Sequence, residues 1–200
     1  MSPIDIRATP LTWLFALSVA VFAQSRLTLA LLCAAALHEL GHIAVLRLYK
    51  GTLKGLYFTP FGAEIRFAHV MSYGAEALIT AAGPAVNLLC AAAFAALGRR
   101  WEGAYLHAGV HTVLGLYNLL PIRPLDGERL MWIALAWCFG PYAADWVCAA
   151  LSLAVSASLT ALAGWLLLRF GGTPFFLLAA AALFWRSFRE MGLVKTAKIR

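Results

Sequence analysis

Charged residues are scarce in this sequence of 200 residues. They make up 12% of the chain, where about 25% is usual, while hydrophobic residues make up 62%. A water-soluble domain of this size could not bury so much apolar surface, so a soluble domain and a disordered chain are both excluded. The net charge of +7 does not indicate a nucleic-acid partner, because Lys and Arg are typical of the cytoplasmic loops of membrane proteins. The composition therefore predicts a protein embedded in a lipid bilayer.

Cysteine is also rare, and its pattern excludes a disulfide framework. The four cysteines lie singly inside apolar stretches, and no CxxC motif is present. Single cysteines in such stretches are typically small buried hydrophobic residues. We interpret them in this way (Cys33, Cys90, Cys138 and Cys148).

Long apolar runs, separated by Pro, Gly and charged residues, predict six membrane segments. A bilayer core of about 30 Å requires about 20 helical residues, so the first and last segments are short. The segments are Leu11–Ala23, Leu27–Leu46, Ala75–Leu97, Gly103–Leu120, Ala143–Leu168 and Pro174–Trp185, with a further short apolar piece at Leu130–Phe139. The predicted fold is an all-α polytopic membrane protein with about six transmembrane helices, and a single domain over residues 1–200.

The distribution of Lys and Arg predicts the orientation of these segments. With the amino terminus inside the cell, 12 of the 16 basic residues lie on the inner side, as the positive-inside rule requires. Both termini are then cytoplasmic. Leu11–Ala23 could instead be a signal peptide, because Val21-Phe22-Ala23 resembles a small-residue cleavage pattern. Cleavage after Ala23 would leave the remaining topology unchanged, so the charges do not decide between these interpretations.

The stretch Lys50–Val70 between the second and third segments is rich in aromatic and β-branched residues. Turn-forming residues at Thr59-Pro60-Phe61-Gly62 divide it into two halves, which predicts a small membrane-associated β-hairpin. Two interpretations stay open: a packed cytoplasmic loop, or an edge strand that binds an extended peptide.

The second segment contains polar residues where lipid is expected, in the run His38-Glu39-Leu40-Gly41-His42. Such residues are costly inside a membrane and indicate function. On a helix His38 and His42 share one face, so two imidazoles can occupy two corners of a tetrahedral zinc site. Glu39 lies close enough to act on a metal-bound water. A chance pair of hydrogen-bonding histidines is the alternative, but it would not explain three polar residues within five positions.

A catalytic zinc ion normally has three protein ligands and leaves its fourth position to water. Asp126 is the favoured third ligand, since it follows the fourth segment at the same inner face that His42 approaches. Pro121 and Pro124 stop the helix there, so the carboxylate lies on irregular backbone that could fold back into the bundle. Spacing alone leaves Glu64 and Glu128 as alternatives.

A second pair of histidines one helical turn apart, His107 and His111, lies in the outer half of the fourth segment. Position 108 is Ala, so no carboxylate base follows the first histidine. We expect hydrogen bonding at the interface or between helices, with a second metal site or a gate as the alternative.

Three motifs in order resemble the site-2 protease family over about Leu27–Arg129, and most closely its stage IV sporulation protein FB branch. The motifs are His38-Glu39-Leu40-Gly41-His42, then Gly83-Pro84-Ala85-Val86-Asn87 on the next segment, then Asn118 with Asp126-Gly127. The resemblance implies a zinc-dependent intramembrane endopeptidase of regulated intramembrane proteolysis, located in the bacterial cytoplasmic membrane.

The same resemblance implies roles for single residues. His38, His42 and Asp126 would bind one Zn²⁺ per chain, and Glu39 would be the catalytic acid and base. Asn118 would contact the substrate near the cleavage point. Asn87 would also bind substrate, or line the core beside the metal together with Gly83 and Pro84.

The implied partners are a membrane-spanning or membrane-associated pro-protein substrate and a membrane inhibitor or regulator. A sporulation role with a pro-sigma-factor substrate is one such case. Members of that branch often carry a nucleotide-sensing domain after the last segment, whereas 15 residues follow Trp185 here, so we do not expect regulation by ATP. The alternatives are an inactive zinc-binding scaffold, which has no need of Glu39, and a metal-ion transporter, whose ligands should lie at several depths.

Overall fold

The computed structural model describes residues 5–8, 25–49, 53–59, 62–67, 72–171 and 174–197. The predicted first membrane segment, Leu11–Ala23, and the signal-peptide cleavage point after Ala23 lie outside the described residues. The helices within the described part are α1 (Ser25–Leu48), α2 (Tyr73–Gly98), α3 (Ala104–Asn118), α4 (Asp126–Phe139), α5 (Pro141–Phe170) and α6 (Phe175–Ala197).

Three of these helices are long and apolar enough to cross a membrane. They are α1 from Arg26 onward, α2 and α5. Helix α3 has 15 residues, fewer than the about 20 that a bilayer core requires. The short apolar piece predicted at Leu130–Phe139 is the larger part of helix α4. Six crossings therefore stay a prediction.

Three strands, β1 (Asp5–Ala8), β2 (Leu53–Thr59) and β3 (Gly62–Phe67), form one sheet in the order β1-β2-β3. Strands β2 (Leu53–Thr59) and β3 (Gly62–Phe67) pair antiparallel between α1 and α2, in the stretch for which the sequence predicts a hairpin. Strand β1 (Asp5–Ala8) pairs parallel with the other side of β2. A parallel partner from the amino terminus has no sequence signal, because such a pairing joins residues far apart in the chain.

Contacts within the chain divide it into two units, residues 1–119 and 120–200. In the first unit, α1, α2 and α3 pack against one another, with Ala30, Ala34 and Val110 in a small apolar core. In the second unit, α5 packs against both α4 and α6. Hydroxyl groups of Ser152 and Ser187 join α5 to α6 at 2.9 Å.

The distribution of side chains is that of a protein in lipid. Large apolar side chains face outward, with Leu89 70% and Leu168 90% exposed, whereas His38, Asn87 and Ser156 are buried. Water would penalise so much exposed apolar surface, but hydrocarbon does not. The apolar helices therefore make this chain an integral membrane protein.

Candidate metal centre

The first pair of histidines lies on one face of α1, one helical turn apart. Both side chains are buried, at 5% and 7% exposure. The Nε2 atoms of His38 and His42 are 3.1 Å apart, and the rings meet edge to face with their centroids 4.7 Å apart. Two imidazole nitrogens thus point to the same place inside the helix bundle.

The ring of His42 is held by the neighbouring helix α2. Its Nδ1 atom donates a hydrogen bond to the carbonyl oxygen of Ile79 at 2.8 Å. Because a carbonyl oxygen only accepts, Nδ1 carries the proton and Nε2 of the neutral ring keeps the lone pair that a metal ion needs. Hydrogen bonds of this kind orient metal-binding histidines in general.

His38 is held by a side-chain amide of α2. The Nδ1 atom of His38 lies 3.1 Å from Nδ2 of Asn87, and Oδ1 of Asn87 lies 3.0 Å from Nδ1 of His111 on α3. Asn87 is fully buried and His111 is 1% exposed. His111 therefore makes an interhelical hydrogen bond, the role that the sequence favours for it, while His107 stacks on Phe94 with a centroid distance of 5.0 Å.

Helix α2 can approach the two histidines because it carries glycine at position 83. A Cβ atom there would overlap the imidazole of His42 and lie 2.8 Å from Cε1 of His38. Any side chain at this position would displace the rings. Glycine at position 41 has the matching role on α1, since its Cβ would lie 2.8 Å from the carbonyl oxygen of Ala82.

Asp126 is the first residue of α4. It is the carboxylate that the sequence favours as the third ligand, and it belongs to the second unit of the chain. Two imidazoles and one carboxylate form the kind of donor set that binds zinc and leaves a fourth position for water. His107 and His111 do not belong to this group.

Of the two alternative third ligands, Glu128 has an ion pair of its own. Its Oε1 atom lies 3.0 Å from Nε and 2.6 Å from Nη2 of Arg123, and the residue is 4% exposed. Burial lowers the pKa of Arg123, but the hydrogen bond and charge of Glu128 raise it overall, so the guanidinium stays charged. The side chain of Glu64, on β3, lies outside the described residues.

The remaining predicted site residues are Glu39 and Asn118. Glu39 follows His38 on α1, and its Oε2 atom is buried. Asn118 ends α3, and its Nδ2 group donates to the carbonyl oxygen of Leu114 at 3.0 Å. A side-chain amide has two N–H groups, so this bond to the helix does not use the whole donor capacity of Asn118.

Sequence reasoning missed how the two imidazoles are supported. The carbonyl of Ile79 carries no sequence signal at all, because every residue has one. The hydrogen bonds from His38 through Asn87 to His111 were partly indicated by the sequence. All three are polar residues inside apolar segments, and such residues often form hydrogen bonds between membrane helices.

No protein-family model matches this chain. Rip3 of Mycobacterium tuberculosis, which is named as a zinc metalloprotease, is 35% identical over 111 residues, 47% of this chain. Stage IV sporulation protein FB of Bacillus subtilis is 27% identical over 142 residues, 65% of this chain. The matched stretches are 27% and 47% of these relatives, so the chain spans less than half of each.

A solved structure, a site-2 protease from Methanocaldococcus jannaschii, has a similar fold. The TM-score is 0.71, with 96% of this chain and 93% of that chain covered at 19% identity. The fold is thus that of a site-2 protease. In sequence, the chain is similar to the two bacterial proteins over the matched stretches.

Proposed function

We propose that the chain is a zinc-dependent intramembrane endopeptidase that hydrolyses a peptide bond of a membrane-spanning or membrane-associated protein. The observation that carries the proposal is the pair of buried imidazoles of His38 and His42, whose Nε2 atoms lie 3.1 Å apart on one face of α1. Asp126 is the proposed third ligand. The names of the bacterial relatives and the fold of the solved site-2 protease support it.

The chemistry divides between the metal ion and the chain. When bound by His38, His42 and Asp126, zinc would polarise the scissile carbonyl and make water a nucleophile at neutral pH. Glu39 would accept the proton of the attacking water on its carboxylate and pass it to the leaving nitrogen. Asn118 would use its second N–H group to hold the substrate backbone or the developing oxyanion.

The substrate has to be extended before it can be cut, because a helix shields its own amides and carbonyls. We propose that the sheet supplies the extended form. Strand β3 lies at one edge of the order β1-β2-β3, and an edge strand can pair with an added segment through its main chain. The partner would then be a membrane-protein segment with residues that unwind easily, such as Gly or Pro.

The membrane setting is part of the proposal. We propose six crossings in the bacterial cytoplasmic membrane with both termini in the cytoplasm, and a membrane inhibitor or regulator as a further partner. The distribution of basic residues supports this orientation. The metal centre would then lie near the inner face, where water from the cytoplasm has a short route to it.

The test is Glu39→Gln in the full chain, co-expressed with a panel of single-span membrane proteins. We expect cleavage to fall by about 10²–10⁴-fold, because general acid–base catalysis contributes that much, while zinc content stays at the wild-type level. Glu102→Gln, at an exposed position between α2 and α3, is the matched control and should cleave normally. Unchanged cleavage in Glu39→Gln, or wild-type flux of metal ions without proteolysis in either variant, would contradict the proposal.

A further inference from the structure

Three buried polar side chains form a continuous hydrogen-bonded chain across α1, α2 and α3. It runs from Nδ1 of His38 to Nδ2 of Asn87, and from Oδ1 of Asn87 to Nδ1 of His111. Glycine at position 115 brings α3 close to this point, since its Cβ would lie 3.3 Å from Cβ of Asn87. Asn87 therefore touches both histidines from the middle helix.

The hydrogen-bond donors fix the position of each ring proton in this arrangement. The NH₂ group of Asn87 donates to Nδ1 of His38, so the proton of that neutral ring is on Nε2. This Nε2–H points to Nε2 of His42 at 3.1 Å, which can accept because the proton of His42 is on Nδ1, facing Ile79. His38 needs the opposite tautomer to bind a metal ion through Nε2.

A half-turn of the Asn87 carboxamide reverses both of its own hydrogen bonds without moving a neighbour, because its oxygen and nitrogen occupy equivalent places. The bond from His42 to Ile79 keeps its direction, and Nε2 of His38 becomes free of its proton. Oδ1 then accepts from Nδ1–H of His38. Nδ2 then donates to Nδ1 of His111, whose proton moves to its Nε2. Each ring keeps one proton throughout, and both hydrogen bonds of Asn87 are retained.

We propose that Asn87 and His111 are positioning residues for the metal centre. The carboxamide of Asn87, supported by the two tautomers of His111, holds the His38 proton on Nδ1 and so directs the Nε2 lone pair to the metal ion. The proposal rests on the proposed function, since it requires His38 to be a ligand. It gives Asn87 a role behind an imidazole, in place of the substrate contact that the family resemblance implies.

The first test measures the zinc dissociation constant of the purified full chain in detergent by competition with a chromophoric chelator. Asn87→Leu removes the acceptor for Nδ1–H of His38, and we expect binding to weaken about 10–100-fold, the usual effect of losing a hydrogen-bond partner of a metal ligand. Asn87→Asp has an acceptor oxygen for each histidine, so it should bind zinc within about threefold of the wild type.

The second test separates His111 from its neighbour. His111→Phe keeps a ring beside Phe94, which stacks on His111 in the wild type. It leaves the N–H groups of the turned amide buried without an acceptor, so we expect zinc binding to weaken by up to about tenfold. His107→Phe is the matched control, since His107 also stacks on Phe94, and it should change binding less than about twofold.

A double variant gives a result that packing alone would not produce. In Asn87→Asp the new carboxylate would accept from His38 without having to turn, so adding His111→Phe to that variant should leave its zinc affinity unchanged. The cobalt-substituted protein should show the same order in its visible absorption spectrum, which reports whether His38 still ligates. Wild-type affinity in Asn87→Leu, or equal weakening in His107→Phe and His111→Phe, would overturn the proposal.

His38→Ala distinguishes this proposal from the proposed function. If His38→Ala binds zinc as tightly as the wild type, the metal centre itself is wrong. If His38→Ala loses zinc while Asn87→Leu and His111→Phe keep it, only the positioning role fails. If Asn87→Leu does not fold, as judged by size exclusion and thermal melting, the comparison of His111→Phe with His107→Phe decides.

Discussion

At the scale of single residues, the centre depends on groups that leave His38 and His42 no freedom to turn. Ile79 fixes one ring through a backbone carbonyl, and Asn87 fixes the other through a side-chain amide. Both residues lie on α2, whose close approach requires that position 83 has no side chain. The smallest change at that position therefore provides a strict test.

Gly83→Ala is expected to weaken zinc binding about 5–150-fold, because the added methyl group overlaps His42 and overpacking in a filled interior costs about 1–3 kcal/mol. Zinc content after dialysis and the chelator competition both measure this. Gly74→Ala on the same helix is the control, since a Cβ at position 74 meets nothing within 4 Å. Equal zinc affinity in the two variants would contradict the steric argument.

Asp126 and Glu128 are two residues apart on α4 and should behave in opposite ways. Asp126→Asn should weaken zinc binding, because a neutral amide replaces a carboxylate ligand. Glu128→Gln should leave zinc affinity unchanged. It should lower the free energy of unfolding by about 1–3 kcal/mol, since it removes the charge of the carboxylate that is hydrogen-bonded to Arg123. Chelator competition and melting of both variants in detergent measure the two effects. Loss of zinc from Glu128→Gln would make Glu128 the third ligand.

At the scale of elements, the proposed function assigns different parts to the strands and to the helices. Helices α1 to α3 hold the histidines through hydrogen bonds, whereas β3 would bind the extended substrate segment that we propose. The two parts can be tested separately, because zinc content measures the histidine centre and cleavage of a co-expressed substrate measures the pairing on β3.

Ile65→Pro in β3 is expected to slow cleavage of a co-expressed substrate several-fold with unchanged zinc content, because proline removes a backbone N–H and disfavours the strand. Ile65→Val keeps the strand and the donor, so it should cleave at the wild-type rate. If Ile65→Pro cleaves normally, the sheet does not bind the substrate.

At the scale of the whole molecule, metal binding and stability should be linked. A ligand that binds the folded chain alone stabilises it by about 2.7 kcal/mol at a free concentration 100 times its dissociation constant. Chelators should therefore lower the melting temperature of the chain in detergent and abolish cleavage, and added zinc should restore both. A melting temperature of His38→Ala that responds to zinc as the wild type does would contradict this prediction.

The sequence by itself determined the membrane setting and the face that carries the two histidines. Composition needs no structure to exclude a soluble domain. His38 and His42 lie in one helix, and the repeat of the helical backbone alone places side chains four residues apart on the same face. The helical segments after residue 25 follow from their apolar runs in the same way. The apolar run Leu130–Phe139, however, did not indicate that its helix, α4, begins at Asp126.

Only the tertiary structure decided what surrounds the histidines. The bonds of His42 to Ile79, His38 to Asn87 and Asn87 to His111 join residues 37, 49 and 24 positions apart. Such contacts depend on how helices pack, which is set by close approach at particular glycines and not by any local pattern. The ion pair of Glu128 with Arg123 was likewise visible only in the structure. Spacing alone had left Glu128 as an alternative third ligand, because the burial of a carboxylate and the charge nearest to it are set by the folded chain.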